Sequence, residues 1–211
     1  MHHDTYPAVS PFKANLEGKV ILVTGASKGI GKAMAVAFAQ AGASGIVLLA
    51  RSDLTATKAA CEAAQRGEQP LEVLAISADC TKTADVVAAA EQVRQRFGRL
   101  DVLVNNAGYM EGPGAMYDFD PEEWWRPWTV NVRGTYEVTR AFIPLLLECG
   151  GEKIIINMTS AGAHMIDPMF TAYKVASFLS AAQLMCDSPG YPKDDETRHP
   201  SSHRVDHGGV W

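Results

Sequence analysis

A glycine-rich turn between an apolar run and an alanine-rich segment constrains this chain more than any other stretch. The apolar residues 19–23 are followed by Thr24-Gly25-Ala26-Ser27-Lys28-Gly29-Ile30-Gly31. Glycines let the backbone turn sharply and approach a bound group. A helix starting at about Ile30 would direct its free N–H groups and positive dipole end at an anion such as a pyrophosphate. The spacing Gly-x3-Gly-x-Gly is also compatible with an ordinary glycine-rich turn, so both interpretations stand at this point.

Strands and helices are predicted to alternate along the chain. Continuous apolar runs are typical of parallel strands covered on both faces, and they predict strands at 19–24, 45–50, 71–77, 100–105 and 153–158. Helical patterns lie between them, at about 30–41, 54–66, 83–97, 121–147 and 173–185. Such alternation predicts an α/β fold with a doubly wound parallel sheet, Rossmann-like and incomplete at its C-terminal edge.

The predicted helix at 121–147 has a clear start and an irregularity. Asp120 is the expected cap, Pro121 suits the first helical position, and two acidic residues follow. Pro127 removes a backbone donor inside the helix, so we expect a kink or break there.

Composition indicates one domain that binds a small molecule. The chain has 211 residues, is 47% hydrophobic and has a net charge of −5 without a dense basic run, which argues against nucleic acid or a membrane as partner. Its four cysteines have no paired spacing, so no metal site is expected. We expect a tail or strap at 1–16, a nucleotide-binding domain at 17–186 and a disordered polar tail at 187–211. Without a leader pattern or a long apolar run, a cytoplasmic location is expected.

Two further groups of residues follow predicted strands. Asn105-Asn106-Ala107-Gly108 comes at the carboxyl end of the fourth strand, where ligands bind in open α/β sheets; the alternative is a simple Asn/Gly turn. Ser160 follows the fifth strand, and Tyr173 comes 13 residues later at the start of a helix. This hydroxyl pair suits proton transfer to or from a substrate oxygen, although a packed tyrosine and a loop serine would give the same pattern.

Taken together and in this order, these motifs resemble the short-chain dehydrogenases/reductases over roughly residues 17–177, and the segment 122–134 looks most like fungal members. The resemblance implies an oxidoreductase that transfers hydride between a nicotinamide cofactor and an alcohol or ketone. It implies catalytic roles for Tyr173 (acid/base), Ser160 (substrate oxygen) and Asn131 (support of a proton-relay water). It implies cofactor contacts at Gly25, Ser27, Lys28, Gly29, Ile30, Gly31, Arg51, Asp79, Asn105, Ala107 and Gly108.

Charge near the end of the second strand favours a phosphorylated cofactor. Ala50 stands where NAD-preferring members often carry an acid, Arg51 follows it, and Lys28 lies in the glycine turn. Two cations favour a ribose 2′-phosphate, so NADP is predicted, with NAD as second choice. Both cations could instead be solvated surface charges, and Asp53 is expected to cap a helix rather than bind ribose.

The chain departs from the family pattern at the catalytic end. The family continues Tyr-x3-Lys, whereas position 177 is Ser177, and Lys174 directly follows Tyr173 and so points about 100° away on a helix. Without that cation we expect impaired turnover. The alternatives are a non-catalytic nucleotide-binding protein or a truncated product. His164 is a candidate substrate contact or a plain loop residue. The resemblance also implies homo-oligomers assembled through the helices at about 121–148 and 171–185.

Overall fold

The computed structural model describes residues 10–66, 70–151, 153–165 and 169–183. Within them the strands are β1 (Val20–Thr24), β2 (Gly45–Ala50), β3 (Glu72–Ser77), β4 (Val102–Asn105) and β5 (Ile154–Asn157). The α-helices are α1 (Gly29–Gln40), α2 (Thr55–Ala64), α3 (Thr83–Phe97), α4 (Pro121–Pro127), α5 (Thr135–Glu148) and α6 (Thr171–Gln183). Single 3-10 turns lie at Pro11–Lys13, Met116–Asp118 and Ala161–His164.

The five strands form one parallel sheet in the order β3-β2-β1-β4-β5. Leu22 of β1 pairs with Val47 on one side and with Leu103 on the other. The strands that follow β1 in sequence lie on one side of it as far as β3, and β4 and β5 then lie on its other side. This change of side leaves a crevice at the carboxyl ends of β1 and β4. The doubly wound α/β fold expected from the alternation of strands and helices is confirmed.

Alternate residues of the strands fill two cores, one on each face of the sheet, because successive side chains point to opposite faces. Leu22 and Val47 pack with α3 and α5, where Phe142 is fully buried. Ile21 and Ile46 pack on the other face with α1 and with Cys61 of α2. β1, β2 and β4 are buried along their whole length, which explains why they are almost entirely apolar, whereas β3 and β5 at the edges of the sheet are partly exposed.

The helix predicted at 121–147 is divided into three parts. Asp120 caps α4 by accepting hydrogen bonds from the N–H groups of Glu122 (3.0 Å) and Glu123 (3.2 Å). α4 ends at Pro127, and a π-helical segment, Trp128–Gly134, joins it to α5. The irregularity expected at Pro127 is therefore a change of helix type, whereas Pro144 lies inside an uninterrupted α5.

The N-terminal residues that the structure describes lie against the domain as a strap. Arg66 Nη1 donates to the carbonyl oxygen of Phe12 (2.9 Å), and its guanidinium lies 5.0 Å from the centre of the Phe12 ring. Leu16 N–H donates to Ala41 at the end of α1 (3.0 Å). The first part of the predicted tail and the whole segment 187–211 lie outside the described residues. Among the described helices, none combines the length and apolar character that a membrane span requires.

Candidate functional site

The glycine turn packs directly against the loop that follows β4. A Cβ atom on Gly25, whose φ is +65°, would lie 2.9 Å from Ala107 Cα. A Cβ on Gly31 would lie 2.5 Å from the carbonyl oxygen of Gly25 and 2.6 Å from Asn106 Nδ2. Real Cβ atoms do not approach backbone this closely, so only glycine fits these positions. The turn from β1 into α1 therefore has the compact form required for backbone to approach a ligand.

Thr24 and Asn106 hold the two chain segments together. The Thr24 hydroxyl accepts hydrogen bonds from the N–H groups of Asn106 and Ala107 (both 2.9 Å) and donates to Val104 O (3.3 Å). Asn106 Nδ2 donates to Thr24 O (2.8 Å). These bonds fix the carboxyl ends of β1 and β4 side by side. Asn106 therefore holds the turn in place through its side chain. The resemblance to the family did not predict this role.

A cleft of about 500 Å³ opens at this edge of the sheet, within the size range of small-molecule and cofactor sites. The start of α1 borders it, where the first N–H groups of a helix have no acceptor within the helix. Every predicted cofactor residue except Asn105 lines the cleft, namely Gly25, Ser27, Lys28, Gly29, Ile30, Gly31, Arg51, Asp79, Ala107 and Gly108. The cleft is also lined by residues that the predicted set of cofactor contacts does not include, namely Leu49, Ala50, Ser52, Ala78, Cys80, Asn106, Tyr109 and Val130.

Cations and one carboxylate border the outer part of the cleft. Arg51 Nη1 lies 3.9 Å from Asp79 Oδ2, and the Arg51 side chain is 66% exposed. Burial opposes ionisation of Asp79, but hydrogen bonds from Thr81 and the charges of Arg51 and Lys82 outweigh it and lower the pKa of this carboxyl group. The charge of Arg51 is therefore partly neutralised by Asp79, but its guanidinium is accessible to an anion in the cleft.

Asp53 lies outside the lining of the cleft. Its Oδ1 accepts hydrogen bonds from Thr55 N–H (3.1 Å) and Thr55 Oγ1 (2.7 Å) at the start of α2. Asp53 thus binds the first residue of α2, although Leu54 rather than Asp53 occupies the N-cap position.

A second, smaller cavity of about 140 Å³ is lined mostly by residues with polar side chains. Its lining comprises Ile30, Asn105, Asn106, Ala107, Gly108, Asn131, Thr135, Met158, Thr159, Tyr173, Ser177 and Ser180. Four of these residues, Ile30, Asn106, Ala107 and Gly108, also line the larger cleft. The two spaces are therefore neighbours, and the predicted acid/base residue Tyr173 lies next to the predicted cofactor cleft.

Asn105 belongs to this second cavity rather than to the cleft. Its Nδ2 donates to Thr139 Oγ1 (2.9 Å) and to Asn157 Oδ1 (2.8 Å), and Asn157 Nδ2 donates to Ser180 O (3.0 Å). This chain of bonds connects β4, β5 and α6. The buried Oδ1 of Asn105 has no hydrogen-bond partner among the described residues.

Asn131 lies in the π-helical segment and is buried. Its side chain is bonded in both directions to the backbone of Tyr109, with Oδ1 accepting from the N–H (2.8 Å) and Nδ2 donating to the carbonyl (2.9 Å). Its own carbonyl oxygen accepts from Thr135 Oγ1 (2.7 Å) and Ser180 Oγ (2.8 Å). Asn131 thus fixes the loop after β4, a contact that its place in the sequence did not reveal.

Ser160 and Tyr173 approach each other around Gly162. A Cβ on Gly162 would lie 3.4 Å from Ser160 Oγ and 3.8 Å from Tyr173 Cε1. Ser160 Oγ accepts from the Gly162 N–H (3.1 Å), and Ser160 is not part of the lining of the second cavity. Ser177 is buried with 4% exposure and borders that cavity, whereas His164 is exposed.

Glu111 is the polar residue near Tyr173 that sequence reasoning missed. Its side chain is 1% exposed and accepts hydrogen bonds from the N–H groups that begin α6. Among the described residues, no group of three or more His, Cys, Asp or Glu side chains could hold a metal ion.

Comparison with known proteins agrees with this geometry. A family model described as short chain dehydrogenase matches residues 19–184. "Short chain dehydrogenase mpl6" of Monascus purpureus is 47% identical over 189 residues, which are 88% of this chain and 64% of that protein. The chain therefore spans somewhat less than two thirds of that curated relative's length.

Solved structures share the fold. The 3-ketoacyl-(acyl-carrier-protein) reductase of Brucella melitensis complexed with NADH gives a TM-score of 0.70 at 38% identity, over 80% of this chain and 68% of that one. The NADH-dependent reductase A1-R' complexed with NAD gives a TM-score of 0.68 at 27% identity, over 78% of this chain and 69% of that one. With a family match over most of its length, this chain belongs to the short chain dehydrogenase family of oxidoreductases.

Proposed function

We propose that the chain binds NADP(H) in the cleft at Gly25–Gly31 and belongs to an oxidoreductase that acts on an alcohol or carbonyl substrate. The observation that carries the proposal is the shared wall of the two cavities. It joins a cleft of cofactor size to the polar cavity beside Tyr173. A cofactor whose phosphates lie at the start of α1 could therefore present its reactive end to Tyr173.

The residues of the cleft fit a dinucleotide. The start of α1 offers N–H groups and a positive dipole end to the pyrophosphate. The missing side chains of Gly25 and Gly31 keep that approach open. Asp79 would contact the adenine, and Ala107 and Gly108 would face the adenosine.

The preference for NADP rests on charge. Arg51 and Lys28 both line the cleft, and a phosphate on the ribose would gain charge-assisted hydrogen bonds from them. The two solved relatives described above were complexed with NAD or NADH, so NAD remains the second choice. The ion pair of Arg51 with Asp79 is long at 3.9 Å, which leaves the guanidinium able to turn toward a phosphate.

Tyr173, Ser160 and Asn131 would supply the protein's part of the reaction. The bound nicotinamide would supply or accept the hydride. The hydroxyl of Tyr173 would give a proton to the substrate oxygen in reduction or take it in oxidation, and the Ser160 hydroxyl would hold that oxygen by a hydrogen bond. Asn131 would support the site by fixing the loop at Tyr109.

Ser177 limits this chemistry. A residue four positions after Tyr173 lies one turn further along the same helix face, and here it supplies a neutral hydroxyl. A neutral hydroxyl supplies no positive charge to stabilise the phenolate form of Tyr173. We therefore propose low turnover for this chain. The same observation favours a second candidate function, nucleotide binding without catalysis.

Turnover with and without a lysine at this position tests the proposal. Oxidation of NADPH would be followed with a panel of ketones and quinones for the chain, for Ser177→Lys and for Ser177→Lys combined with Tyr173→Phe. The cavity beside Ser177 leaves room for a longer side chain. We expect Ser177→Lys to raise turnover at least tenfold and Tyr173→Phe to abolish that gain. Measurable turnover that is equal in the chain and in Ser177→Lys would overturn the proposed impairment.

Binding without any turnover by these three proteins would support the second candidate. A chain that bound neither NADPH nor NADH would refute both.

A further inference from the structure

A buried carboxylate holds the start of the helix that carries Tyr173. Glu111 Oε1 accepts from Ala172 N–H (3.0 Å), and Tyr173 N–H donates to Oε1 (3.2 Å) and Oε2 (3.1 Å). Glu111 lies 61 residues before Ala172 in the chain. Its side chain is 1% exposed. A distant loop residue therefore serves as the cap of α6.

The start of α6 suits a negative charge. The first N–H groups of a helix have no acceptor within the helix, and the positive end of its dipole attracts an anion. None of the ion pairs formed by the described residues includes Glu111. A buried carboxylate is costly unless it is bonded or paired. The N–H groups of Ala172 and Tyr173 donate the hydrogen bonds that compensate the buried carboxylate. The position of Glu111 therefore depends on the position of Tyr173, and the reverse.

The chain enters α6 through an unusual backbone conformation. Phe170 has a φ of +57° and is the only non-glycine residue with positive φ among those described. Left-handed backbone is unfavourable for a bulky side chain and persists only where surrounding contacts impose it. Trp124 Nε1 adds a hydrogen bond to Thr171 Oγ1 (3.1 Å). Contacts from Glu111 and Trp124 thus fix the first turn of α6 from outside the helix.

One short loop connects Glu111 to the cofactor cleft. The loop leaves β4 at Asn105, and Asn106 binds Thr24 at the glycine turn. Tyr109 is held through its backbone by the Asn131 side chain, and Glu111 follows two residues later. Six residues therefore link the cofactor turn, the π-helical segment and the start of α6.

We infer that Glu111 is a positioning residue, which sets Tyr173 relative to the cofactor cleft by capping α6 from this loop. The inference rests on the proposed function for its effect on turnover. Its structural part, control of the first turn of α6, does not.

The test compares Glu111→Gln with the chain as it is. Glutamine keeps the volume of the side chain, but it offers one acceptor oxygen and brings an NH2 group toward the helix N–H groups. Glu137→Gln is the matched control. Glu137 of α5 is also buried, and its carboxylate lies 3.6 Å from Arg133 Nε of the π-helical segment and 3.9 Å from Arg140 Nη1 of α5.

Three measurements separate positioning from general stability. Amide hydrogen exchange at Ala172 and Tyr173 should accelerate at least tenfold in Glu111→Gln, and the NMR signal of the Tyr173 ring carbons should move, because the ring changes its surroundings. Where turnover is measurable, kcat should fall about tenfold while KM and the NADPH Kd stay within twofold. The control should change none of these.

Unchanged exchange and an unchanged ring-carbon signal of Tyr173 in Glu111→Gln would overturn the inference. So would equal effects of Glu137→Gln. A chain that bound no NADPH would refute the proposed function alone, because hydrogen exchange and the ring-carbon signal of Tyr173 would still report on Glu111.

Discussion

Replacing Gly31 by alanine tests the close packing of the glycine turn, since two effects of opposite sign compete there. Alanine is favoured over glycine inside a helix by about 1 kcal/mol. The new Cβ would lie 2.5 Å from the Gly25 carbonyl oxygen and 3.0 Å from its carbonyl carbon, and both atoms are backbone. Overpacking of this kind typically costs about 1–3 kcal/mol, and the upper end applies because backbone must shift. We expect a net loss of about 2 kcal/mol in the free energy of unfolding.

The same shift should weaken cofactor binding. A dinucleotide binds the turn in its present conformation. The free energy needed to restore that conformation in the variant therefore weakens binding. A cost of about 1.4–2.8 kcal/mol corresponds to a rise of about 10- to 100-fold in the NADPH Kd. For a chain of this length the stability loss corresponds to a fall of about 4–8 °C in Tm.

Calorimetric titration with NADPH and thermal unfolding measure both effects. Ala33→Gly is the matched control, because Ala33 is exposed on the same helix. It should lose about 1 kcal/mol of stability through helix propensity and leave the NADPH Kd unchanged. A Gly31→Ala variant that was more stable than the parent chain and bound NADPH equally well would refute the packing argument.

Three further predictions concern single residues. Arg51→Ala should raise the NADPH Kd about tenfold, the loss of one charge-assisted hydrogen bond, and leave the NADH Kd unchanged in parallel titrations; an equal effect on both would contradict a phosphate contact. Burial raises the pKa of the Cys61 thiol from 9.0 to about 11. The unfolded chain therefore loses this proton first, and stability should fall between pH 9 and 11. Cys61→Ala should reduce that fall in urea unfolding, and identical pH slopes would refute it. Asp120→Ala should lower stability by about 1 kcal/mol, because two N–H groups at the start of α4 lose their acceptor; an unchanged Tm would contradict the cap.

Much of the fold could be predicted because burial of both sheet faces leaves a strong apolar pattern. β2 begins and ends where the pattern predicts, and the other strands are shorter by one or two residues at one or both ends. Strand ends depend on which backbone groups find partners in the neighbouring strand, and a single sequence does not give this. Likewise, Pro127 predicts an irregularity, but the sequence does not reveal that it is a π-helical segment packed against α6.

The candidate site was predictable where its residues act through local backbone form. Gly25 and Gly31 are required by the turn itself, and both line the cleft. Glu111 escaped prediction because its partners are 61 and 62 residues away and a lone acid in a Gly/Pro-rich loop resembles a solvated charge. Asn105 is predicted to contact the cofactor, but its side-chain amide donates hydrogen bonds to Thr139 and Asn157, and the residue borders the second cavity. Only tertiary structure separates these two places.

Side-by-side calorimetric titration of the chain with NADPH and NADH tests the central claim most directly. The cleft should bind both, with NADPH about 100-fold tighter, about tenfold from each of Arg51 and Lys28. The preference should disappear when both residues are replaced by alanine, while binding of NADH persists. NADH binding tenfold tighter than NADPH would contradict the assignment of the phosphate, and no binding of either nucleotide would contradict the assignment of the cleft.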